Sequence, residues 1–185
     1  MSGALKREHF LSVDDYLDGE TLAEERHEYI AGQVYATAGA SEDHEVVAGN
    51  LFAAILAHLR GQGCRVFKGD MKVRLKLNLQ DLFYYPDIMV VCDPGDREPA
   101  FKCRPKVIVE VMTDYKSDHV EKLFAYQQIE SLEEYLIIGQ DAAKPQAWIY
   151  RRKNGWQKEE GAPEGVVGLE CLGFRSPLAD LYVME

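Results

Sequence analysis

The chain has 185 residues, 46% of them apolar, which suits one substantial hydrophobic core and is too short for two ordinary domains. We therefore expect a single domain over residues 1–185. The formal net charge of −10 argues against a general electrostatic attraction to nucleic acid, although local basic stripes and a carboxylate cluster awaiting a metal ion are compatible with it.

The apolar segments are too short for a membrane span. The longest of them, residues 51–59, contains His58 and runs into Arg60, whereas a bilayer requires about 20 apolar residues. Residues 1–20 lack the apolar run of a signal peptide, because acidic residues interrupt them. We therefore expect a protein that stays in the cytoplasm and has no membrane partner.

The four cysteines are Cys64, Cys92, Cys103 and Cys171. They form no CxxC pair and have no zinc-finger spacing, so neither a zinc site nor a redox motif is indicated. We expect reduced, buried or inert thiols.

The N-terminal part of the chain predicts a helix, a hairpin and a second helix. Residues 12–26 are rich in helix formers and begin with a serine before acidic residues. Within residues 28–35, Ala31 and Gly32 separate two short β-prone runs, which is the pattern of a tight hairpin. Between residues 43 and 61, apolar residues recur at intervals of three and four, which predicts a helix that glycines end.

The clearest periodic signal lies in residues 72–79, where apolar and polar residues alternate. This period of two predicts a half-exposed strand with a basic outer face. The apolar positions are Val73, Leu75, Leu77 and Leu79, and the polar positions are Lys72, Arg74, Lys76 and Asn78. The basic stripe could follow a phosphate backbone, but solubility alone would produce the same alternation.

The remaining pattern predicts four strands and one helix. Residues 84–92 and 106–112 are runs rich in β-branched residues and bounded by turn residues, so we predict a strand in each. Residues 117–130 predict a helix, and residues 135–138 and 147–151 predict two further strands. The apolar face of the helix is assigned to Val120, Leu123 or Phe124, Gln127 and Ile129.

This order of elements predicts an α/β (α+β) fold with a mixed β-sheet flanked by helices. Antiparallel hairpins and one parallel crossover through the helix at residues 117–130 are expected. We expect Arg151, Arg152 and Lys153 to decorate a hairpin turn.

Two strands that otherwise have the composition of buried strands each contain one acidic residue. Asp87 stands at the entrance of an apolar run that ends at Val91, and Glu110 interrupts the apolar run of residues 106–112. An unpaired carboxylate in such a position is costly. If the two strands are neighbours, both acids can converge on one point, because alternate residues of a strand share a face.

Converging carboxylates suit a hard divalent cation such as Mg²⁺, which takes oxygen ligands and usually keeps waters and phosphate oxygens as well. Such an ion activates water for attack on phosphorus, so phosphodiester hydrolysis is the natural reaction class. A structural interpretation stays open beside it. In that interpretation Asp87 caps a turn after Pro86, and Glu110 pairs with a base such as Lys122 or Arg74.

Several short motifs stand in order along most of the chain. They are Tyr85-Pro86-Asp87-Ile88-Met89-Val90-Val91, Val109-Glu110-Val111, Lys122, Tyr126 and Glu134-Tyr135-Leu136-Ile137-Ile138, with Glu28-Tyr29-Ile30, Gly32 and His44 on the N-terminal side. This set resembles the Uma-type restriction endonucleases of the PD-(D/E)xK nuclease superfamily. The resemblance implies a restriction-endonuclease-like core, catalytic and metal-binding acids at Asp87 and Glu110, Mg²⁺ or Mn²⁺ as cofactor, and DNA as substrate.

The sequence departs from the superfamily pattern two residues after Glu110, where Met112 stands in place of the usual lysine. In families of this fold the following helix can supply the lysine, and Lys122 is then the candidate. Its role would be to steady the attacking water or the charge that develops on the phosphoryl group. The alternative interpretation is a surface pair between Asp118 and Lys122, worth about 0.3 to 0.5 kcal/mol.

The resemblance also implies roles for Glu28 and His44. Glu28 could add a metal ligand or orient a water, whereas an exposed acid before a hairpin is the ordinary explanation. His44 could act as a catalytic base, whereas a histidine near a helix start is more often a capping or surface residue.

Functions of different classes are compatible with these features. The first is a metal-dependent endonuclease acting on DNA, which requires Asp87, Glu110 and Lys122 to lie within reach of one metal ion. The second is a catalytically inactive nucleic-acid-binding or protein-interaction module on the same fold, which Met112 and the net charge of −10 permit. A third is a different metal hydrolase or an oligomer-building scaffold whose acids are merely paired. A homodimer is suggested by analogy alone, because enzymes of this fold that cut both strands often pair two sites.

Overall fold

The computed structural model describes residues 10–37, 39–112 and 118–183, with Asp118 and His119 described by their backbone alone. Its α-helices in these ranges are α1 (Val13–Glu20), α2 (Glu42–His58) and α3 (Asp118–Tyr126). The strands are β1 (His27–Ile30), β2 (Gln33–Ala36), β3 (Arg65–Lys68), β4 (Lys72–Leu77), β5 (Gln80–Tyr84), β6 (Ile88–Val91), β7 (Phe101–Lys102), β8 (Val107–Met112), β9 (Glu134–Gly139), β10 (Ala147–Arg151), β11 (Lys158–Glu160), β12 (Val166–Leu169) and β13 (Phe174–Pro177). No helix within these ranges is both long and apolar enough to cross a membrane.

The strands form two mixed sheets and a separate hairpin. The five-stranded sheet has the order β2-β1-β5-β4-β7, the six-stranded sheet has the order β11-β10-β9-β8-β6-β3, and β12 pairs with β13. The neighbours β8 and β9 are parallel, and α3 lies between them along the chain. The predicted parallel crossover and the predicted mixed α/β (α+β) fold with flanking helices are thus confirmed.

The central strands of the six-stranded sheet are buried on both faces. Every residue of β6 is buried, and β8 and β9 are nearly continuous apolar runs. One face packs against α2 through residues such as Leu51 and Ile55. The other packs against α3 and the five-stranded sheet. A charged residue inside such a strand therefore needs specific partners.

The N-terminal part of the chain forms the helix α1 and the hairpin of β1 and β2. The helix α1 follows its cap Ser12 and ends at Glu20, so it is shorter than the predicted residues 12–26. The predicted hairpin is confirmed, since Ala31 and Gly32 join β1 to β2 with φ angles of 52° and 94°. Such angles are the reason for a glycine in this turn.

A serine cap begins α2. Ser41 has an extended backbone, and its side chain accepts a hydrogen bond from the backbone N–H of His44 at 3.3 Å. We expect Ser41→Ala to lower the free energy of unfolding by about 1 kcal/mol, because the helix loses a partner for one of its unpaired N–H groups. Ser41→Asp should keep most of that stability. Urea unfolding measures both effects, and identical midpoints for the wild type and Ser41→Ala would contradict the cap.

The single strand predicted over residues 84–92 is two strands in different sheets. β5 ends at Tyr84 and β6 begins at Ile88, so the chain passes from one sheet to the other over residues 85–87. Pro86 has no N–H with which to continue a strand ladder, which explains a break at this point.

The strand predicted over residues 72–79 ends at Leu77. Asn78 and Leu79 have φ angles of 50° and 66° and form the turn into β5. Leu79 is consequently 94% exposed, and its assignment to the buried face is wrong.

The helix predicted over residues 117–130 ends at Tyr126, and Ser117 lies outside the described residues. Val120, assigned to its apolar face, is 58% exposed. Of the two alternatives Leu123 and Phe124, Leu123 packs against the core and Phe124 is 57% exposed. The helix turns Tyr126 inward instead, because its inner face packs against β4 and the acid-bearing strand β8.

The expectation that Arg151 decorates a turn is wrong. Arg151 ends β10 and is 8% exposed, and its Nε donates to Oε1 of Glu134, on β9, at 2.8 Å. Its Nη1 donates to Glu159, on β11, at 2.7 Å. Arg152 and Lys153 are exposed in the turn that follows. Arg151 therefore joins three neighbouring strands from within.

Cys64 and Cys92 form a disulfide, which corrects the expectation of reduced thiols at these positions. The antiparallel register of β3 and β6 places the two residues opposite each other, just beyond the paired ends of the strands. Cys103 and Cys171 are free thiols.

Candidate active site

Asp87, the residue before β6, lies beside Glu110 of the neighbouring strand β8. β6 and β8 are antiparallel with Ile88 opposite Val109, so Asp87 falls at the level of Glu110. The backbone N–H of Val111 donates to Oδ2 of Asp87 at 2.7 Å. The sequence analysis required the two strands to be neighbours if the acids were to converge, and β6 and β8 are neighbours.

All five residues predicted for the site line one cleft of about 600 Å³. β1 supplies Glu28, α2 supplies His44, the crossing between the sheets supplies Asp87, β8 supplies Glu110 and α3 supplies Lys122. Sequence reasoning missed further residues of the lining, among them Arg26, Lys68, Tyr85 and Gln140.

Glu110 is a buried carboxylate with partners on α3. It is 5% exposed, and its Oε1 accepts a hydrogen bond from the hydroxyl of Tyr126 at 2.9 Å. Nζ of Lys122 lies 3.6 Å from the same oxygen. Burial raises the pKa of Glu110 above its ordinary value, while the charge of Lys122 and the bond from Tyr126 act in the opposite direction.

Lys122 stands between two acids. Its Nζ lies 3.0 Å from Oε1 of Glu28, and the two side chains are only 12% and 16% exposed. Lys122 itself lines the cleft. The surface pair with Asp118 stays a prediction, because the side chain of Asp118 lies outside the described residues. Pairing of Glu110 with Lys122 is found, whereas Arg74 pairs with Asp81 at 2.9 Å.

His44 holds Asp87 and does not cap its helix. Its Nε2 lies 3.1 Å from Oδ2 of Asp87, and its side chain is 17% exposed. The hydrogen bond with Asp87 raises the pKa of His44, although burial opposes the rise. The interpretation of His44 as a surface or capping histidine is therefore wrong.

In each of the two acids, one carboxylate oxygen is held by the protein, and this arrangement suits the binding of a hard divalent cation. Oδ2 of Asp87 and Oε1 of Glu110 are held by the protein, while no described residue donates a hydrogen bond to the other oxygen of either carboxylate. Mg²⁺ and Mn²⁺ are commonly bound through one or two carboxylates, with waters and phosphate oxygens as further ligands. Within the described ranges, no group of three or more His, Cys, Asp or Glu residues is arranged to hold a metal. The donor set is thus a carboxylate pair.

The fold is similar to that of a known crystal structure. A crystal structure described as a "putative nuclease belonging to DUF820" from Anabaena variabilis ATCC 29413 superposes with a TM-score of 0.68, covering 90% of this chain and 96% of that chain at 17% identity. This likeness concerns the fold.

The family follows from the sequence comparison. The model of the Uma2 family, described as "Putative restriction endonuclease", matches residues 13–179, and the chain belongs to that family. Two uncharacterized proteins of Synechocystis sp. (strain ATCC 27184 / PCC 6803 / Kazusa) are similar to it. One is 33% identical over 131 residues, covering 69% of this chain and 68% of the relative. The other is 31% identical over 135 residues, covering 70% and 75%. The family and the fold support a nuclease-like function.

Proposed function

We propose that this protein is a divalent-metal-dependent endonuclease that hydrolyses phosphodiester bonds of DNA. The observation that carries the proposal is the placement of Asp87 and Glu110 at the same level of two paired strands, in one cleft with Lys122. Asp87 and Glu110 are the residues that would hold Mg²⁺ or Mn²⁺. When bound, such an ion supplies Lewis-acid activation of water and neutralises charge on phosphate oxygens.

The surrounding residues have separate tasks in this proposal. His44 fixes the orientation of the Asp87 carboxylate through its 3.1 Å contact. Lys122 places a positive charge beside the reacting phosphate, where it orients the attacking water and stabilises the developing negative charge. Glu28 holds the lysine side chain through its 3.0 Å contact with Nζ.

Two cations at the cleft can receive the DNA backbone despite the acidic total charge. Lys68 pairs with Glu45 and Arg26 pairs with Asp70, and the acids of these pairs are 56% and 93% exposed. Exposed pairs contribute little stability, so each cation can exchange its carboxylate for a phosphate group.

A catalytically inactive nucleic-acid-binding or protein-interaction module is the second candidate, and Met112 at the usual lysine position favours it. In that case Lys122 serves only to neutralise Glu28 and Glu110. A cytoplasmic location, a homodimer and a single domain over residues 1–185 stay predictions in both cases.

Metal binding tests the proposal. We expect the wild type to bind Mn²⁺ in calorimetric titrations at neutral pH, and to cleave DNA in Mg²⁺ or Mn²⁺ but not in chelator. Asp87→Ala and Glu110→Ala should each weaken Mn²⁺ binding by at least about tenfold, because each removes a charged oxygen ligand. Glu121→Ala removes an exposed acid from α3 and is the matched control.

Circular dichroism confirms that each variant is folded before its binding is compared. If the wild type fails to bind Mn²⁺ at millimolar concentration, or both variants bind as well as the wild type, the proposal is wrong. Metal binding without any DNA cleavage would favour the inactive module.

A further inference from the structure

Tyr126 reaches Glu110 from the last residue of α3. Its side chain is 0% exposed, and its hydroxyl donates to Oε1 of Glu110 at 2.9 Å. A hydrogen bond to a charged group in a buried environment is stronger than one between neutral groups in water. Tyr126 is thus a defined partner of a residue in the proposed metal site.

Packing fixes the position of the Tyr126 hydroxyl. The ring makes edge-on contacts with the rings of Tyr84 and Tyr135, with centroid distances of 5.6 Å and 5.3 Å. Tyr135 in turn stacks on Tyr150 at 6.1 Å. A ring packed between neighbours in this way has little freedom, so its hydroxyl is held at one place relative to β8.

Lys122 and Tyr126 both approach the same oxygen of Glu110. They are four residues apart on α3 and therefore lie on one face of the helix. Both contacts are made with Oε1, and no described residue donates a hydrogen bond to Oε2. The terminal torsion of a glutamate is broad, so a carboxylate without such contacts could present either oxygen.

We infer that Tyr126 is a positioning residue, which fixes Oε1 of Glu110 and so presents Oε2 to the metal ion of the proposed site. The metal role rests on the proposed function, whereas the orientation of Glu110 does not. The arrangement on α3 mirrors that on α2, where His44 holds Oδ2 of Asp87. One oxygen of each acid is therefore contacted by a side chain from a helix, and Oδ2 of Asp87 also accepts the backbone N–H of Val111.

Tyr126→Phe tests this role, because it keeps the ring and removes the hydroxyl. We expect Tyr126→Phe to weaken Mn²⁺ binding by about 10- to 100-fold, as is typical when a partner of a metal ligand is lost. Tyr135→Phe is the matched control, since it makes the same change one ring further from Glu110. It should bind Mn²⁺ like the wild type, even if both variants lose stability in urea unfolding.

A crystal structure of metal-free Tyr126→Phe gives a second readout that does not depend on activity. We expect the Glu110 carboxylate to be rotated or disordered there and ordered in Tyr135→Phe. Unchanged Mn²⁺ affinity together with an unchanged carboxylate in Tyr126→Phe would overturn the inference. If the wild type binds no Mn²⁺ but the carboxylate moves in Tyr126→Phe, the metal-dependent function fails while the orienting role of Tyr126 stands.

Discussion

Lys122→Met is expected to lower the rate of DNA cleavage by about 10²- to 10³-fold while leaving Mn²⁺ binding intact. A loss of this size is typical when one preorganised group that stabilises developing charge is removed. Lys122 lies 3.6 Å from Glu110 and 3.0 Å from Glu28, so it reaches the acids without being a metal ligand itself. Single-turnover cleavage in saturating Mn²⁺ and calorimetric titration measure the two quantities separately.

The change in Mn²⁺ affinity distinguishes a catalytic role of Lys122 from a structural role. If Lys122 only held the site together, its removal would weaken Mn²⁺ binding. Lys122 places a positive charge beside the proposed ligand Glu110, and that charge repels a bound cation. At a pH where Glu110 is ionised in both proteins, the removal of Lys122 should therefore leave Mn²⁺ affinity equal or higher. A cleavage rate equal to that of the wild type would contradict a catalytic role for Lys122.

A second substitution tests whether a lysine at the usual position of the superfamily can replace Lys122. Met112 lines the same cleft and follows Glu110 by two residues on β8. Adding Met112→Lys to Lys122→Met restores a lysine at the usual position. Partial recovery of cleavage would show that the cleft needs a positive charge, from whichever element it comes.

Arg151→Met is expected to lower the free energy of unfolding by about 3 to 5 kcal/mol. Arg151 and Glu134 are 8% and 2% exposed, and their 2.8 Å contact joins β10 to β9. Methionine fills the space of the aliphatic stem but leaves the Glu134 carboxylate buried without its cation. Glu134 also accepts hydrogen bonds from the backbone N–H groups of Glu170 and Cys171, so the C-terminal segment should loosen as well.

Guanidinium chloride unfolding measures this loss. Lys153→Met is the control, because Lys153 is 58% exposed in the turn after β10 and pairs with the exposed Glu170. It should change the free energy of unfolding by no more than about 0.5 kcal/mol. Equal losses of unfolding free energy in the two variants would show that the buried pair contributes no more stability than the exposed pair of Lys153 and Glu170.

The two acids could be predicted from the sequence because they interrupt apolar runs. Asp87, directly before β6, and Glu110, within β8, stand out for the same reason that they need partners, which is the cost of burying a carboxylate. The predicted mixed fold with a crossover through α3 followed from the alternation of helical and strand periods. The two acids and the mixed fold could both be predicted because each depends on a local pattern of residues, which is visible in a single sequence.

The contact between Glu110 and Tyr126 could not be predicted in the same way. Tyr126 has the sequence signal of an ordinary aromatic residue, and only the packing of α3 shows that its hydroxyl reaches Glu110. Val120 was assigned to the apolar face of that helix but is exposed, whereas Ile129, assigned to the same face, is buried. The period of a helix shows which residues share a face, but it does not show that the hydroxyl of a buried tyrosine meets an acid of another strand.

Two further predictions were wrong because the contacts concerned join residues that are far apart in the sequence. Arg151 stands beside two other basic residues, so its composition is that of a surface turn, yet Glu134 lies opposite in the sheet. Cys64 and Cys92 have no spacing motif, and only the register of β3 against β6 brings them together. Strand register is not encoded in any short segment of the chain.

The carboxylates of the cleft come from different sheets. Glu28 lies on β1 of the five-stranded sheet, Glu110 lies on β8 of the six-stranded sheet, and Asp87 lies where the chain crosses between them. Lys122 contacts an acid from each sheet. A folding intermediate with only one sheet formed would therefore lack a complete cleft.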